Sequence, residues 1–321
     1  MRIVNKLITV IFFILPVCVF AQAYPIKPVK VIVPFPPGGA TDIIGRAISE
    51  KLQIALGQPF VVENKAGASG NIGISEVARA VPDGYTLVIG AAQTLTINHQ
   101  IFKNAPVNPQ RDLAPIAVIA SVPNVLIVTN KLPAKNINEL IAFAKKNPGK
   151  LSSGSSSIGG TPHLSLELFK SQTGTFIVHI PYRGSAPSLQ DLVGGQIDMM
   201  FDNLPAALPL INAGQVRAIG VTTLKRSASA PEIPTLDETG LKGFDSQGWF
   251  ALLAPAGTPT PILEKINIEV NKIIRTQDFR ERMLKVGADP VGGSIEDFRQ
   301  KMKSETDRWG RVIKAADIKP D

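Results

Sequence analysis

Cysteine is almost absent: the 321-residue chain has one, Cys18. It lies in an N-terminal segment expected to be removed, so the mature chain would have no thiol, which excludes disulfides, a thiolate nucleophile and Cys-ligated zinc. Histidine is nearly as scarce. The three present, His99, His163 and His179, lack the i, i+4 spacing of a zinc helix, and no metal or cofactor is implied. Aromatics make up only 6 %, which argues against a base-stacking surface. The charge excess is modest: losing Arg2 and Lys6 lowers +8 to +6. Basic and acidic residues alternate, as in Asp278-Phe279-Arg280-Glu281-Arg282, so no nucleic-acid footprint is read, although a mild attraction for anionic solutes is compatible. Neither G-x-x-x-x-G-K-[ST] nor G-x-G-x-x-G occurs, which argues against a nucleotide. There is no internal repeat and no low-complexity tract.

The one long apolar run, Leu7 to Phe20, falls short of the roughly 20 residues of a membrane span. It follows Arg2 and Lys6 and closes on Ala21-Gln22-Ala23, a small-x-small cleavage pattern. Residues 1–23 therefore read as a signal peptide cut before Tyr24, leaving a soluble exported protein. An uncleaved anchor is the alternative. A lipid-modified Cys18 is disfavoured by Pro16 and Val17 where small residues are wanted.

What remains is 44 % hydrophobic with 27 Gly and 26 Pro, ordinary for a packed core with many ordered loops, and long enough for two domains around a cleft. Short, mostly β-branched runs recur at Val29 to Val33, Thr86 to Ile89, Ile116 to Ala120, Val125 to Val128, Phe176 to Ile180, Val216 to Val221 and Trp249 to Leu253. Helical patterns separate them, such as Ile44, Ala47, Ile48, Leu52 or Leu263, Ile266, Val270, Ile273. The class is α/β with largely parallel sheets. Ser294-Ile295-Glu296-Asp297 reads as a capping box that opens a C-terminal structural helix. The periodicity breaks at Val122-Pro123-Asn124 and from Lys225 to Pro234.

Three strand-to-helix loops invite chemistry. Val33-Pro34-Phe35-Pro36-Pro37-Gly38-Gly39-Ala40-Thr41-Asp42 leads into an amphipathic helix, whose N-terminus presents free N–H groups and partial positive charge to a carboxylate or phosphate. Gly38 and Gly39 permit close backbone approach. Asp42 reads either as a cap or as an acceptor for a ligand amine or bridging water. Glu63 to Gly73 is a second such loop. Ser152 to His163 is a third, in which Thr161 before Pro162 forms an N-cap/N1 pair. Gly90 to Thr94 is small and polar enough to line a cleft or to be a plain loop. Asp198 to Asn203 reads as a turn. Tyr182 and Asp202 are candidates for polar ligand contacts, whereas Arg183 reads as a solvated charge.

A hydrolase is the competing reading, with a serine of Ser152–Ser157 as nucleophile and His163 as base. Its weakness is that Gly154-Ser155-Ser156-Ser157-Ile158 ends in Ile where G-x-S-x-G needs Gly, and helix-start packing is the plainer role for His163.

Together these segments resemble the Bug-type solute receptors of the tripartite tricarboxylate transporters. The resemblance rests on the export signal, Pro34 to Asp42, Glu63 to Gly70, Asp83-Gly84-Tyr85-Thr86-Leu87, Gly160-Thr161-Pro162-His163-Leu164, Pro181 to Gly184, Gly194 to Asp198 and Leu252 to Pro259, and it covers the whole mature chain. Arg183 departs, since many such receptors carry Lys there. The resemblance implies a two-lobe periplasmic binding fold with two hinge crossovers, lobe 1 being 24–122 and 225–321 and lobe 2 being 123–224. It implies a carboxylate held by backbone N–H groups and waters. The first-lobe contacts would be Phe35, Gly38, Gly39, Thr41, Asp42, Gly67, Ser69 and Gly70. Those of the second would be Ser156, Gly159, Thr161, His163, Tyr182 and Asp202. A periplasmic, non-enzymatic monomer that hands a small organic acid or acidic amino acid to transporter membrane subunits is expected. A sensor subunit of the same fold would read identically.

Overall fold

A computed structural model describes residues 24–103, 105–315 and 318. The segment 1–23, expected from its sequence to be a signal peptide, lies outside the described residues. In chain order the first elements are β1 (Val29–Val33), α1 (Ala40–Leu56), β2 (Phe60–Asn64), α2 (Asn71–Ala78), β3 (Thr86–Ala91), α3 (Asn98–Ile101) and α4 (Pro109–Asp112). A long strand β4 (Leu113–Thr129) follows, then α5 (Ile137–Lys146), β5 (Ser152–Ser155), α6 (Thr161–Thr173), β6 (Val178–Pro181), α7 (Ser185–Gly194), β7 (Met199–Asn203), α8 (Leu204–Asn212) and β8 (Val216–Val221). The chain closes with β9 (Gln247–Pro255), α9 (Thr260–Arg275), α10 (Gln277–Lys285), β10 (Asp289–Pro290) and α11 (Ile295–Ala315). No helix among the described residues is long and apolar enough to cross a membrane.

The strands form two lobes joined through β4, in the order β2-β1-β3-β9-β4-β7-β5-β6, with β8 and β10 also paired to β4. In the first lobe β1 lies parallel to β2 and β3; in the second β5 lies parallel to β6 and β7. The crossing strands differ. β4 is antiparallel to β7, β8, β9 and β10, and β9 is antiparallel to β3, so the sheets are mixed and the expectation of largely parallel sheets is corrected. Strands that carry the chain out to the second lobe and back must run in opposite directions, which makes their pairing antiparallel.

Each half of the sheet is covered on both faces, which is why its strands are apolar on consecutive positions. In the first lobe Leu87, Ile89, Phe250 and Leu252 pack against α1, α9 and α10, while Val88, Trp249, Ala251 and Leu253 pack against Ile74, Val77, Phe298 and Met302 of α2 and α11. In the second, Leu126, Val128 and Phe201 face α5 and α6, and Val125, Ile127 and Met200 face α7 and α8.

Val122-Pro123-Asn124 is not a gap in β4. The strand is continuous there and changes partners: Pro123 pairs with Gln247 of β9, and Asn124 with Asn203 of β7. Proline is tolerated because its missing N–H falls where one ladder ends. Ala230 and Ile233 pack into one second-lobe core, and Leu236, Leu241 and Phe244 into the other. The stretch 225–246, which the family resemblance implies is part of the first lobe, packs with the second-lobe cores. Ser152–Ser155 and Met199–Asn203 are strands rather than loop and turn, because β5 is hydrogen-bonded on both edges, one of them to β7.

Local signals hold at the helix ends. Ser294 and Asp297 cap one another reciprocally, Asp297 N–H donating to Ser294 Oγ at 3.0 Å and Ser294 N–H to Asp297 Oδ2 at 2.9 Å. Thr161 is the first residue of α6 rather than its cap. Gly160 takes the cap, and the Thr161 hydroxyl turns toward Asn124 Oδ1 at 3.4 Å.

Candidate functional site

The lobes enclose a cleft at the carboxyl ends of their parallel strands, the edge where open α/β sheets bind ligands. Its inner part is a narrow cavity lined by Phe35, Gly39, Thr41, Gln93 and Gly248 to Phe250 on one side and by Ser156, Gly160, Thr161, Gly184, Ser185 and Asn203 on the other. A wider outer chamber, open to solvent, continues from it through the shared residues Phe35, Pro36, Ser156 and Gly184. Gly67 to Gly70, Ile158, Tyr182 and Arg183 line that chamber.

Four helices begin at the inner cavity. Their N-caps are Gly39 for α1, Gly160 for α6, Gly184 for α7 and Asn203 for α8, and none has a side-chain cap bond. Elsewhere α4, α5 and α10 are capped by Asn108, Asn136 and Thr276. A helix opened by glycine has no side-chain oxygen to satisfy its first N–H groups, so they stay available to a guest. Among the described residues, none that lines the inner cavity carries a charge. Its positive potential is that of four helix ends, each equivalent to roughly half a charge.

The loop 67–70 is held open against its own preference. Gly67, Ala68, Ser69 and Gly70 all have positive φ, of 132°, 47°, 54° and 88°. For Ala68 and Ser69 that conformation costs about 1–3 kcal/mol each. Asn98, buried in α3, secures it by donating to Ser69 O and Asn71 Oδ1, both at 2.9 Å.

Behind the second-lobe wall a buried polar network ties the cavity to the crossing strands. Asn203 Nδ2 donates to Asn124 Oδ1 at 2.5 Å, Asn124 Nδ2 to Ser165 Oγ at 2.9 Å, and Ser165 Oγ to Ser246 Oγ at 2.9 Å.

Of the residues singled out in the sequence, Phe35, Gly39, Thr41, Gly67, Ser69, Gly70, Ser156, Thr161 and Tyr182 line the two chambers. Gly38, Asp42, Gly159, His163 and Asp202 do not. Asp42 is spent within its own lobe: Oδ2 accepts from Gly38 N–H at 3.1 Å, and Oδ1 from Arg46 Nε and Asn64 Nδ2, both at 2.9 Å. Burial alone would push its carboxyl up, but these donors hold it below the ordinary carboxylate range. It shapes the turn and leaves the cavity to Gly39.

His163 is likewise committed. Its Nδ1 accepts from Gly159 N–H at 3.0 Å, and its ring stacks on His179 with centroids 3.9 Å apart. Burial pushes Glu167 up, yet His163 Nε2, 3.6 Å away, and the hydrogen bond from Lys170 bring it down to about 2. No serine bonds to His163 among the described residues. The serine–histidine contact that exists is Ser155 Oγ to His179 Nε2 at 2.7 Å, and Ser155 is fully buried and lines neither chamber. No substrate could reach it, and the nucleophile–base geometry of the hydrolase reading is not met.

Asp202 lies behind the wall, fully buried, its Oδ1 accepting from Ser185 Oγ and Asn203 N–H, both at 2.9 Å. Desolvation pushes it up to about 7 against those two bonds. The sequence reading missed Ser185, Asn203 and Gly248. The available signal was that Gly184-Ser185 and Asn203-Leu204-Pro205 each open a helix straight after a strand.

Residues 44–318 match the model of the tripartite tricarboxylate transporter family receptor. Protein BugT of Bordetella pertussis is 36 % identical over 302 residues, 94 % of this chain and 93 % of BugT. Among solved structures, Rpa4515 of R. palustris with adipate is 41 % identical and superposes with a TM-score of 0.91, covering 93 % of this chain and 100 % of that one. MatC of Rhodopseudomonas palustris with bound malate is 32 % identical with a TM-score of 0.85, over 90 % of this chain and 100 % of MatC. Uncapped helix ends around an uncharged cavity, in a two-lobe fold shared along nearly its full length with these proteins, lead to one assignment: the chain belongs to the receptor family of the tripartite tricarboxylate transporters, as a Bug-type receptor.

Proposed function

We propose that this protein captures a small carboxylate in the periplasm, closes its lobes over it and delivers it to the membrane subunits of a tripartite tricarboxylate transporter. The observation that carries this reading is the convergence of four helix N-termini, one from the first lobe and three from the second, on a cavity lined by no charged side chain. Burying a carboxylate costs several kcal/mol. Each charge-assisted hydrogen bond returns about 1.5–3 kcal/mol and each helix end about 0.3–2 kcal/mol, so three or four donors offset it without a salt bridge. The adipate and malate named with two relatives make linear dicarboxylates the first acids to try. The outer chamber, with Phe35 and Ile158 on its walls and Arg183 beside Gly184, has room for the remainder of such a molecule.

In this reading lobe 1 is 24–123 with 247–321, lobe 2 is 124–246, and the crossovers lie at Pro123/Asn124 and Ser246/Gln247. Residues 1–23 are the export signal, and the mature chain acts as a monomer. Calorimetric titration with succinate, malate, adipate and citrate, with hexanediol as the uncharged control, tests the proposal. Heat and compaction with at least one acid and none with the diol are expected. Silence with every acid overturns it.

A further inference from the structure

Gln93 follows β3 by two residues and opens a π-helical turn, Gln93–Ile97, on the wall of the inner cavity. It is 5 % exposed. Both poles of its amide bond to the opposite lobe: Oε1 accepts from Ser157 Oγ at 2.7 Å, and Nε2 donates to Ile158 O at 2.8 Å. A carbonyl can only accept, so the contact with Ile158 fixes which end of the amide is which. Its own lobe does not need these bonds, because the end of β3 is closed by Thr94 Oγ1, which donates to Ala91 O at 3.0 Å. Among the described residues, the other side-chain hydrogen bonds from the first lobe to the second are Arg308 Nη2 to Asp245 O and Gln247 Nε2 to Asp245 Oδ1, both at the second crossover. Gln93 is therefore the polar tie across the cleft itself.

Two hydrogen bonds from one buried side chain can form only when the β5–α6 loop is brought against β3. We infer that Gln93 is the latch of the cleft, a positioning residue that holds the lobes shut and sets the residence time of the captured molecule. The inference rests on the capture reading for its ligand arm only. Losing the latch should act on release rather than on encounter, since the helix ends that receive the anion are untouched.

The test compares Gln93→Ala, Ser157→Ala and the double variant by stopped-flow release and association of adipate, and by small-angle scattering of each protein without ligand. Each single variant is expected to speed release about 3- to 10-fold, the effect of an ordinary hydrogen bond or two, with association within about 2-fold. Because the Ser157 hydroxyl is spent on Gln93, Ser157→Ala should add nothing in the Gln93→Ala background. The ligand-free variants should have a larger radius of gyration than the wild type. Multiplicative effects on release, or an unchanged radius of gyration in Gln93→Ala, overturn the latch. If the wild type binds no acid at all, the capture reading fails and the scattering arm still decides the latch.

Discussion

Ser185 Oγ donates to Asp202 Oδ1 at 2.9 Å, and the other oxygen of that buried carboxyl has no partner among the described residues. Burial pushes Asp202 up to about 7, so below that pH it is an uncharged acid behind the first turn of α7. Ionisation would place a negative charge behind the helix end offered to the ligand. Carboxylate affinity should therefore fall as pH rises through about 7, and Asp202→Asn should flatten the profile. Titrations with adipate from pH 5.5 to 8.5 check this, and a wild-type profile as flat as the variant's would count against it.

Stability should show two opposed proton linkages. Asp202 has its folded pKa raised, so between about 4 and 7 the folded state holds the extra proton and stability falls as pH rises. Burial, followed by the charge of His163, lowers His179 to about 3, so between about 3 and 6.5 the unfolded state holds the extra proton and stability rises with pH. From pH 4.5 to 6 the two contributions offset. Denaturant unfolding should expose them separately: Asp202→Asn adds a positive slope of up to about 1.4 kcal/mol per pH unit, and His179→Gln a negative one of similar size.

Gly39 has an ordinary extended φ of −82°, and the nearest atom to a Cβ built there is Ser185 Oγ, at 4.0 Å. A valine fits the backbone, but its methyl groups enter the space between two helix ends. Gly39→Val should abolish carboxylate binding while its unfolding midpoint in urea stays near that of the wild type.

Leu164, at the start of α6, packs in an apolar cluster with Ile97, Ile101, Trp309, Ile313 and Ile318, all contributed by the first lobe. Opening the cleft would expose it. Leu164→Ala should cost about 2–5 kcal/mol and expand the ligand-free protein, measured by denaturant unfolding and scattering.

The cleft loops were legible because glycine, proline and small polar residues collect where a strand hands over to a helix, as at Pro34 to Gly39. What such composition cannot tell is which loop side chains turn inward. Asp42 and His163 have the chemistry of ligand contacts, yet their own lobes consume it through Gly38, Arg46 and Asn64 in one case and Gly159 in the other. Strands β5 and β7 were illegible for a different reason. Ser152-Ser153-Gly154-Ser155 has little intrinsic strand preference and is extended because of its neighbours on both edges. The partner exchange inside β4 was hidden likewise, since a proline reads as an interruption until both ladders are known.

The crossing strands β4 and β9 are hydrogen-bonded along the first lobe right up to the point where they enter the second, so the lobes are not strung on slack linkers. Motion between them bends a ladder, and the weak places are the two register shifts, between Pro115 and Ala117 and between Val118 and Ala120, together with the exchange at Asn124. Such a joint behaves as a leaf spring: flexing it stores elastic energy, and the recoil favours one path of travel over a free swing.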